Sequence, residues 1–193
     1  MAGAELVTVP YMTASQFMDW DGAGHLGKLE LVNGEVRAMS PASGTHALIQ
    51  ANLTALIGSH TRSRRLTFRT GIRAPVQPQL HANDNVRAPD LAVTCAPPSS
   101  GKMFPDPVLI IEVLSQSNQK ETWNSIYAMA TIPALTEIAV VDSERVRVEV
   151  LRRGTDGSWP KAGEVAEHGG TFKLESISAE FPVSEVYAGT HLA

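Results

Sequence analysis

The sequence predicts a mixed α/β or α+β fold, in which a mixed sheet lies under helices and an N-terminal β-hairpin precedes it. Three observations predict it. Asn33-Gly34 interrupts the alternating stretch KLELVNGEVRAM, which is the strongest short signal for a two-residue type I′ hairpin turn. PVLIIEVLS at 107–115 is a nearly continuous apolar run, as a central strand covered on both faces requires. Helix-period and strand-period segments then follow one another along the chain, in an order suited to helices packed on a mixed sheet.

The elements follow in order. TASQFMDW, residues 13–20, reads as a short helix with Thr13 as its N-cap. The hairpin register places Leu31 opposite Val36 on one face. It places Glu30 opposite Arg37 and Val32 opposite Glu35 on the other, so Glu30, Glu35 and Arg37 share a face. A helix is predicted from about Thr45 to about Ser59. Its stripe is Ile49, Leu53, Leu56 and Ile57, and His46 lies on the extension of that stripe. Leu66 to Val76 reads as a strand and the polar stretch 77–87 as a loop. Ala88 to Cys95 alternates, with Leu91, Val93 and Cys95 on one face, which predicts a strand with Cys95 in the core. Asn118 to Thr131 is predicted helical, with Asn118 and Glu121 at capping-box spacing and Trp123, Ile126, Tyr127 and Ala130 as its buried face. Glu137 to Asp142 and Arg145 to Arg152 form two further strands, the second cleanly alternating. Thr171 to Ile177 is a last short strand and Val183 to Tyr187 a terminal helical turn.

Composition narrows the classes of function. The 193 residues suit a single domain, and 43% hydrophobic with 19% charged residues is ordinary for a globular chain. A formal net charge of -4 gives no global sign of a nucleic-acid binder, so any basic surface must be local. One cysteine excludes a disulfide framework and a cysteine-based zinc site, and fits a reducing cytoplasm. No apolar run reaches the length of a membrane span, and the N-terminus lacks the pattern of a secretory signal. No nucleophile-elbow motif surrounds any serine.

The chemistry gathers at two carboxylates. Glu112 stands in a run that reads as buried, and a lone buried carboxylate costs several kcal/mol or takes up a proton unless a cation compensates it. Asp90 follows Pro89 at the start of the preceding strand, so adjacent strands would bring both acids to one end of the sheet. Two hard oxygen donors fit Mg²⁺ or Mn²⁺, and such an ion would repay the burial of Glu112. An arginine partner, Arg73 or Arg87, is the structural alternative.

Pro89-Asp90, some twenty residues, then Glu112-Val-Leu in an apolar strand resembles the PD-(D/E)XK nuclease core, a metal-dependent phosphodiesterase scaffold. More closely, the chain resembles the Uma2 family of restriction-endonuclease-like proteins. The resemblance rests on LELVNGEV at 29–36, Met39-Ser-Pro41 followed by His46, RAPDL at 87–91, and IEVLSQSN at 111–118. ETW at 121–123 and Thr131-Ile-Pro133 through Val141 resemble one branch of the family. The match spans roughly residues 11–187, as the core of one domain over residues 1–193. It implies a restriction-endonuclease-like mixed sheet and a metal-dependent endonuclease acting on DNA. It further implies Asp90 and Glu112 as metal ligands with the Val113 carbonyl, Glu30 (or Glu35) as an early acidic residue, and a homodimer that cuts both strands.

The sequence departs from that pattern at the lysine. Leu114 stands where the standard core has Lys, and Ser125 or Ile126 stands where family members carry one on the following helix. Lys120 is the remaining nearby candidate, in a first helical turn where a cation opposes the helix dipole. Arg62, Arg64, Arg65, Arg69 and Arg73 cluster in an acidic chain, either as a phosphate-binding patch or as a solvated helix end. His46 reads as a hydrogen-bonded helix-start residue and Glu30–Arg37 as a cross-strand ion pair. The alternatives to a nuclease are a nuclease-fold module that binds nucleic acid or a protein without catalysis, and a structural partner.

Overall fold

The computed structural model describes residues 11–22, 27–39, 41–115 and 119–193. The chain begins with helix α1 (Ala14–Asp19), which Thr13 caps in a reciprocal capping box with Gln16. Strands β1 (Leu29–Val32) and β2 (Glu35–Ala38) form the expected hairpin, with Glu30 across from Arg37 and Leu31 across from Val36. Asn33 and Gly34 take φ of 50° and 82°, as a type I′ turn demands. A side chain at Gly34 would also run into the Tyr11 ring. The hairpin is tied to the chain ahead of the fourth strand. Leu31 exchanges both main-chain hydrogen bonds with Val86, at 2.9 and 3.0 Å, and Asn33 N–H donates to Asn85 Oδ1.

Helix α2 (Gly44–Ser63) follows, capped by Ser43, and then strands β3 (Arg69–Ile72), β4 (Leu91–Thr94) and β5 (Pro107–Leu114). Helix α3 (Gln119–Met129) leads to β6 (Glu137–Asp142), β7 (Val148–Arg152) and β8 (Glu164–Ala166). The strands from β3 to β8 form one mixed sheet in chain order. Only β5 and β6 run parallel, and α3 makes the crossover that a parallel pair needs. A second hairpin, β9 (Thr171–Leu174) and β10 (Ala179–Pro182), and helix α4 (Val183–Val186) complete the described chain.

The apolar run of β5 is central and covered on both faces. Leu109, Ile111 and Val113 pack with Ile49, Leu53 and Ile57 of α2 and with the second hairpin. Ile110 and Leu114 pack with Ile126 and Met129 of α3. Alternation therefore sends Glu112 to the α3 side of the sheet.

Several expectations need correction. The strand expected over 66–76 is only β3: it begins at Arg69, and the chain turns at Arg73, whose φ is 50° and whose N–H donates to the Asp90 carbonyl at 3.3 Å. Cys95 is exposed, not core: a register irregularity between Val93 and Thr94 breaks the alternation, and the strand ends at Thr94. The inward face of α3 is rotated from the expected one. Thr122, Ser125, Ile126, Ala128 and Met129 are buried, while Tyr127 is 66% exposed beside the half-buried Trp123. The strand expected over Thr171–Ile177 stops at Leu174, and β8 and β10 were not foreseen. Between β9 and β10 the chain reverses at Ser178, with φ of 53°, where no glycine or asparagine marks the turn. The Asn118 cap lies outside the described residues.

Candidate active site

A cleft of about 660 Å³ opens at one end of the sheet, between the start of α2, the start of α3 and the first hairpin. The antiparallel register sets Leu91 across from Ile111, and its continuation brings Asp90 beside Glu112. Both acids line the cleft, and both are buried, at 3% and 4% exposure. Asp90 is held from three sides. Its Oδ2 accepts from Val113 N–H at 2.9 Å, its Oδ1 lies 3.2 Å from His46 Nε2, and its main-chain carbonyl accepts from Gln50 Nε2 at 2.8 Å.

The two acids differ in electrostatics. Burial pushes the Glu112 carboxyl well above the ordinary range. The Lys28 charge works against this, and the neighbouring Asp90 and Glu30 charges reinforce it. Asp90 is held below the ordinary range although burial acts to raise it, because His46, the Lys28 charge and the Val113 N–H outweigh burial. The two acids are thus pushed apart, Glu112 toward its neutral form and Asp90 toward its charged form.

The hairpin contributes the rest of the charge. Glu30 is 2% exposed and does not pair with Arg37, its partner in the ladder. Arg37 instead meets Glu35 at 3.3 Å, both on the exposed side. Glu30 takes Lys28 Nζ at 3.6 Å on Oε1, Arg87 at 3.6 Å on Oε2, and the Ala88 N–H at 3.1 Å on Oε1. Lys28 lines the cleft with only 12% of its side chain exposed. Burial acts to lower its pKa, but the charges of Glu112, Glu30 and Asp90 outweigh burial and hold it above the ordinary lysine value.

The structure thus brings Asp90, Glu112, Val113 and Glu30 to one cleft and leaves Lys120 out of it. Lys120 is exposed on the first turn of α3, whose cleft-facing residues are Thr122 and Ser125. Of the arginines, Arg73 lines the cleft and is exposed. Arg69 donates to the Ala96 carbonyl and is engaged within the fold. Arg62, Arg64 and Arg65 sit at the opposite end of α2 from His46. Sequence reasoning missed Lys28, although strand alternation was the available signal: residues two apart share a face, so Lys28 goes where Glu30 goes. Ser125 was missed as well. Its buried Oγ, on the cleft, has no hydrogen-bond partner among the described residues.

A family model described as "Putative restriction endonuclease", that of Uma2, matches residues 14–182. The chain belongs to the Uma2 family. An uncharacterized protein of Synechocystis sp. is 25% identical over 183 residues, covering 93% of each chain. A crystal structure of "a putative nuclease belonging to DUF820" from Anabaena variabilis superposes with a TM-score of 0.71 at 18% identity, covering 92% of this chain and 98% of that one. The mixed sheet with flanking helices is thus the fold of that neighbour.

The donor set of this Uma2 chain fits a hard divalent cation. Among the described residues no cluster of three or more His, Cys, Asp or Glu side chains is arranged around one point. Mg²⁺ characteristically takes only one or two carboxylates and completes its shell with water and substrate oxygens. Two buried carboxyl groups side by side on an open cleft match that requirement.

Proposed function

We propose that the cleft hydrolyses phosphodiester bonds in DNA with Mg²⁺ or Mn²⁺ held by Asp90 and Glu112. The observation that carries this reading is the buried acid pair lining an open cleft, in a chain of a restriction-endonuclease-like family. The metal, with the Val113 carbonyl as a further donor, would polarise the phosphate and lower the pKa of an attacking water. The protein's own groups do the remaining work. Val113 N–H and Gln50 hold Asp90 in place beside Glu112. Glu30 acts as a positioning residue, which anchors Lys28 and Arg87 and ties the hairpin to Ala88. Arg73 meets a phosphate at the rim of the cleft, and Arg62, Arg64 and Arg65 offer a second, distant phosphate contact. A homodimer is the assembly that would cut both strands.

A duplex-cleavage assay with Mg²⁺, Mn²⁺ or EDTA tests this. The expected result is metal-dependent cleavage, reduced at least about a hundredfold in Asp90→Ala and Glu112→Gln. Duplex binding that survives both changes, with no cleavage by the wild type, would favour the second reading, a binding module. That reading draws on the absence of a lysine at Leu114 and on the exposure of Lys120 away from the cleft.

A further inference from the structure

We propose that Lys28, delivered by the residue that leads into β1 rather than by β5 or α3, is the phosphate-facing cation of this cleft. The inference rests on the phosphodiesterase reading and deepens it. Hydrolysis of a phosphodiester builds negative charge on the phosphoryl oxygens, and a fixed cation aimed at that charge is worth most in a site shielded from water. Lys28 and Arg73 are the cationic side chains that line the cleft. Arg73 is exposed, whereas Lys28 is almost fully enclosed and its Nζ is held at 3.6 Å from Glu30.

The charge balance separates Lys28 from an ordinary structural ion pair. Glu30 already has Arg87 at 3.6 Å and the Ala88 N–H at 3.1 Å, so it does not depend on a second cation. With a divalent ion on Asp90 and Glu112, the ion cancels both carboxylates and Arg87 cancels Glu30. The enclosed groups, Lys28 among them, then carry one positive charge in excess, with Glu144 exposed at the lining, and a phosphate is the anion that would balance it. From α3, Thr122 and Ser125 line the cleft, and the buried Ser125 Oγ has no hydrogen-bond partner among the described residues. A hydroxyl can hydrogen-bond a phosphate oxygen but cannot supply the charge, so the hairpin supplies it. Strand alternation explains how Lys28 reaches the cleft: it shares the face of Glu30, and the paired Leu31 and Val86 backbones fix that face against the chain that leads to Asp90.

The test compares wild type, Lys28→Met, Lys28→Arg and Lys120→Met by affinity for a short DNA duplex in Ca²⁺ and by single-turnover cleavage in Mn²⁺. Lys28→Met is expected to lose about tenfold in duplex affinity and about a hundredfold in cleavage rate. Lys28→Arg is expected to keep the affinity within about threefold, since it keeps the charge, and Lys120→Met to match wild type in both. Lys28→Met with wild-type affinity and rate, or loss confined to Lys120→Met, overturns the proposal. If the wild type binds duplex in Ca²⁺ but cleaves nothing, the nuclease reading fails, and Lys28 stands or falls on the affinity comparison alone. If the wild type does not bind duplex, both fall. Should Lys28→Met not fold, Lys28→Gln replaces it: it is expected to lose about tenfold in duplex affinity, and wild-type affinity in that variant overturns the proposal.

Discussion

At Glu112, burial and a neighbouring acid favour the neutral form while Lys28 favours the charged one. Burial and the acid prevail, and this has a thermodynamic consequence. The folded chain keeps a proton that the unfolded chain, with an ordinary carboxyl near 4.5, releases as pH rises. Stability contributed through Glu112 is therefore full below about pH 4.5 and falls as pH rises through the folded-state value. Glu112→Gln removes that fall. In EDTA the variant is expected to melt a few degrees above wild type at pH 8, with the difference shrinking as pH approaches 4.5. Melting curves across that range decide it, and a difference that does not depend on pH would contradict the account. Asp90 has the opposite sign: its pKa is depressed, so its contribution is present above the unfolded value and lost as pH falls through the folded one.

At the scale of elements, the first hairpin carries Lys28 and Glu30, so its integrity is a condition of the cleft. Gly34→Ala puts a side chain at a φ of 82° and into the Tyr11 ring. It is expected to cost at least about 1 kcal/mol of stability. It should also weaken duplex binding in a hairpin whose register no longer fits Val86. Duplex affinity equal to wild type in a destabilised Gly34→Ala would show that the hairpin does not shape the cleft. Tyr187 makes a separate structural joint. Its hydroxyl lies 2.8 Å from the Asp142 carbonyl and accepts the Arg147 N–H at 3.0 Å, which binds the turn between β6 and β7 to the end of the chain. Burial lifts its pKa to about 12. Tyr187→Phe is expected to lower stability by roughly 1 kcal/mol and to leave duplex affinity unchanged, as unfolding and binding curves on one sample would show.

The hairpin, the central strand β5 and the Asp90–Glu112 pairing were legible in the sequence because each rests on a local rule: the Asn-Gly turn, the doubly apolar run, and acids at matching strand positions. The rotation of α3 was not legible. A helix whose inward face includes Thr122 and Ser125 departs from an apolar-stripe reading, because part of that face lines a polar cleft rather than the core. Cys95 was misplaced because the irregularity at Val93/Thr94 has no residue signature. Lys28 was not legible as a site residue because the standard nuclease core carries its lysine after the second acid, whereas Lys28 precedes both acids. The cleft is assembled from segments far apart in sequence, and a cation can enter from any of them.

At the scale of the whole molecule, the arginines do not make one patch. From His46 at the cleft to Arg62 near the end of α2 is about 24 Å at the helical rise. A duplex that touches both must lie along α2. Removal of one phosphate contact lowers the slope of log affinity against log salt by about 0.9. Arg73→Ala is expected to lower the slope by about that amount, and Arg62→Ala/Arg64→Ala/Arg65→Ala together by up to about three times as much. An unchanged slope in the triple variant would make that end of α2 a solvated helix terminus.

The phosphodiesterase reading depends on the acid pair holding a divalent ion. The most direct test is a calorimetric titration of Mn²⁺ and Mg²⁺ into wild type and Glu112→Gln, with melting curves on the same samples. The account expects saturable binding that raises the melting temperature of the wild type and weakens by more than about tenfold in Glu112→Gln. Absence of binding in the folded wild type, or equal binding in the variant, would contradict it. Glu112 would then be a buried carboxyl held toward its neutral form, in a nuclease fold without its metal.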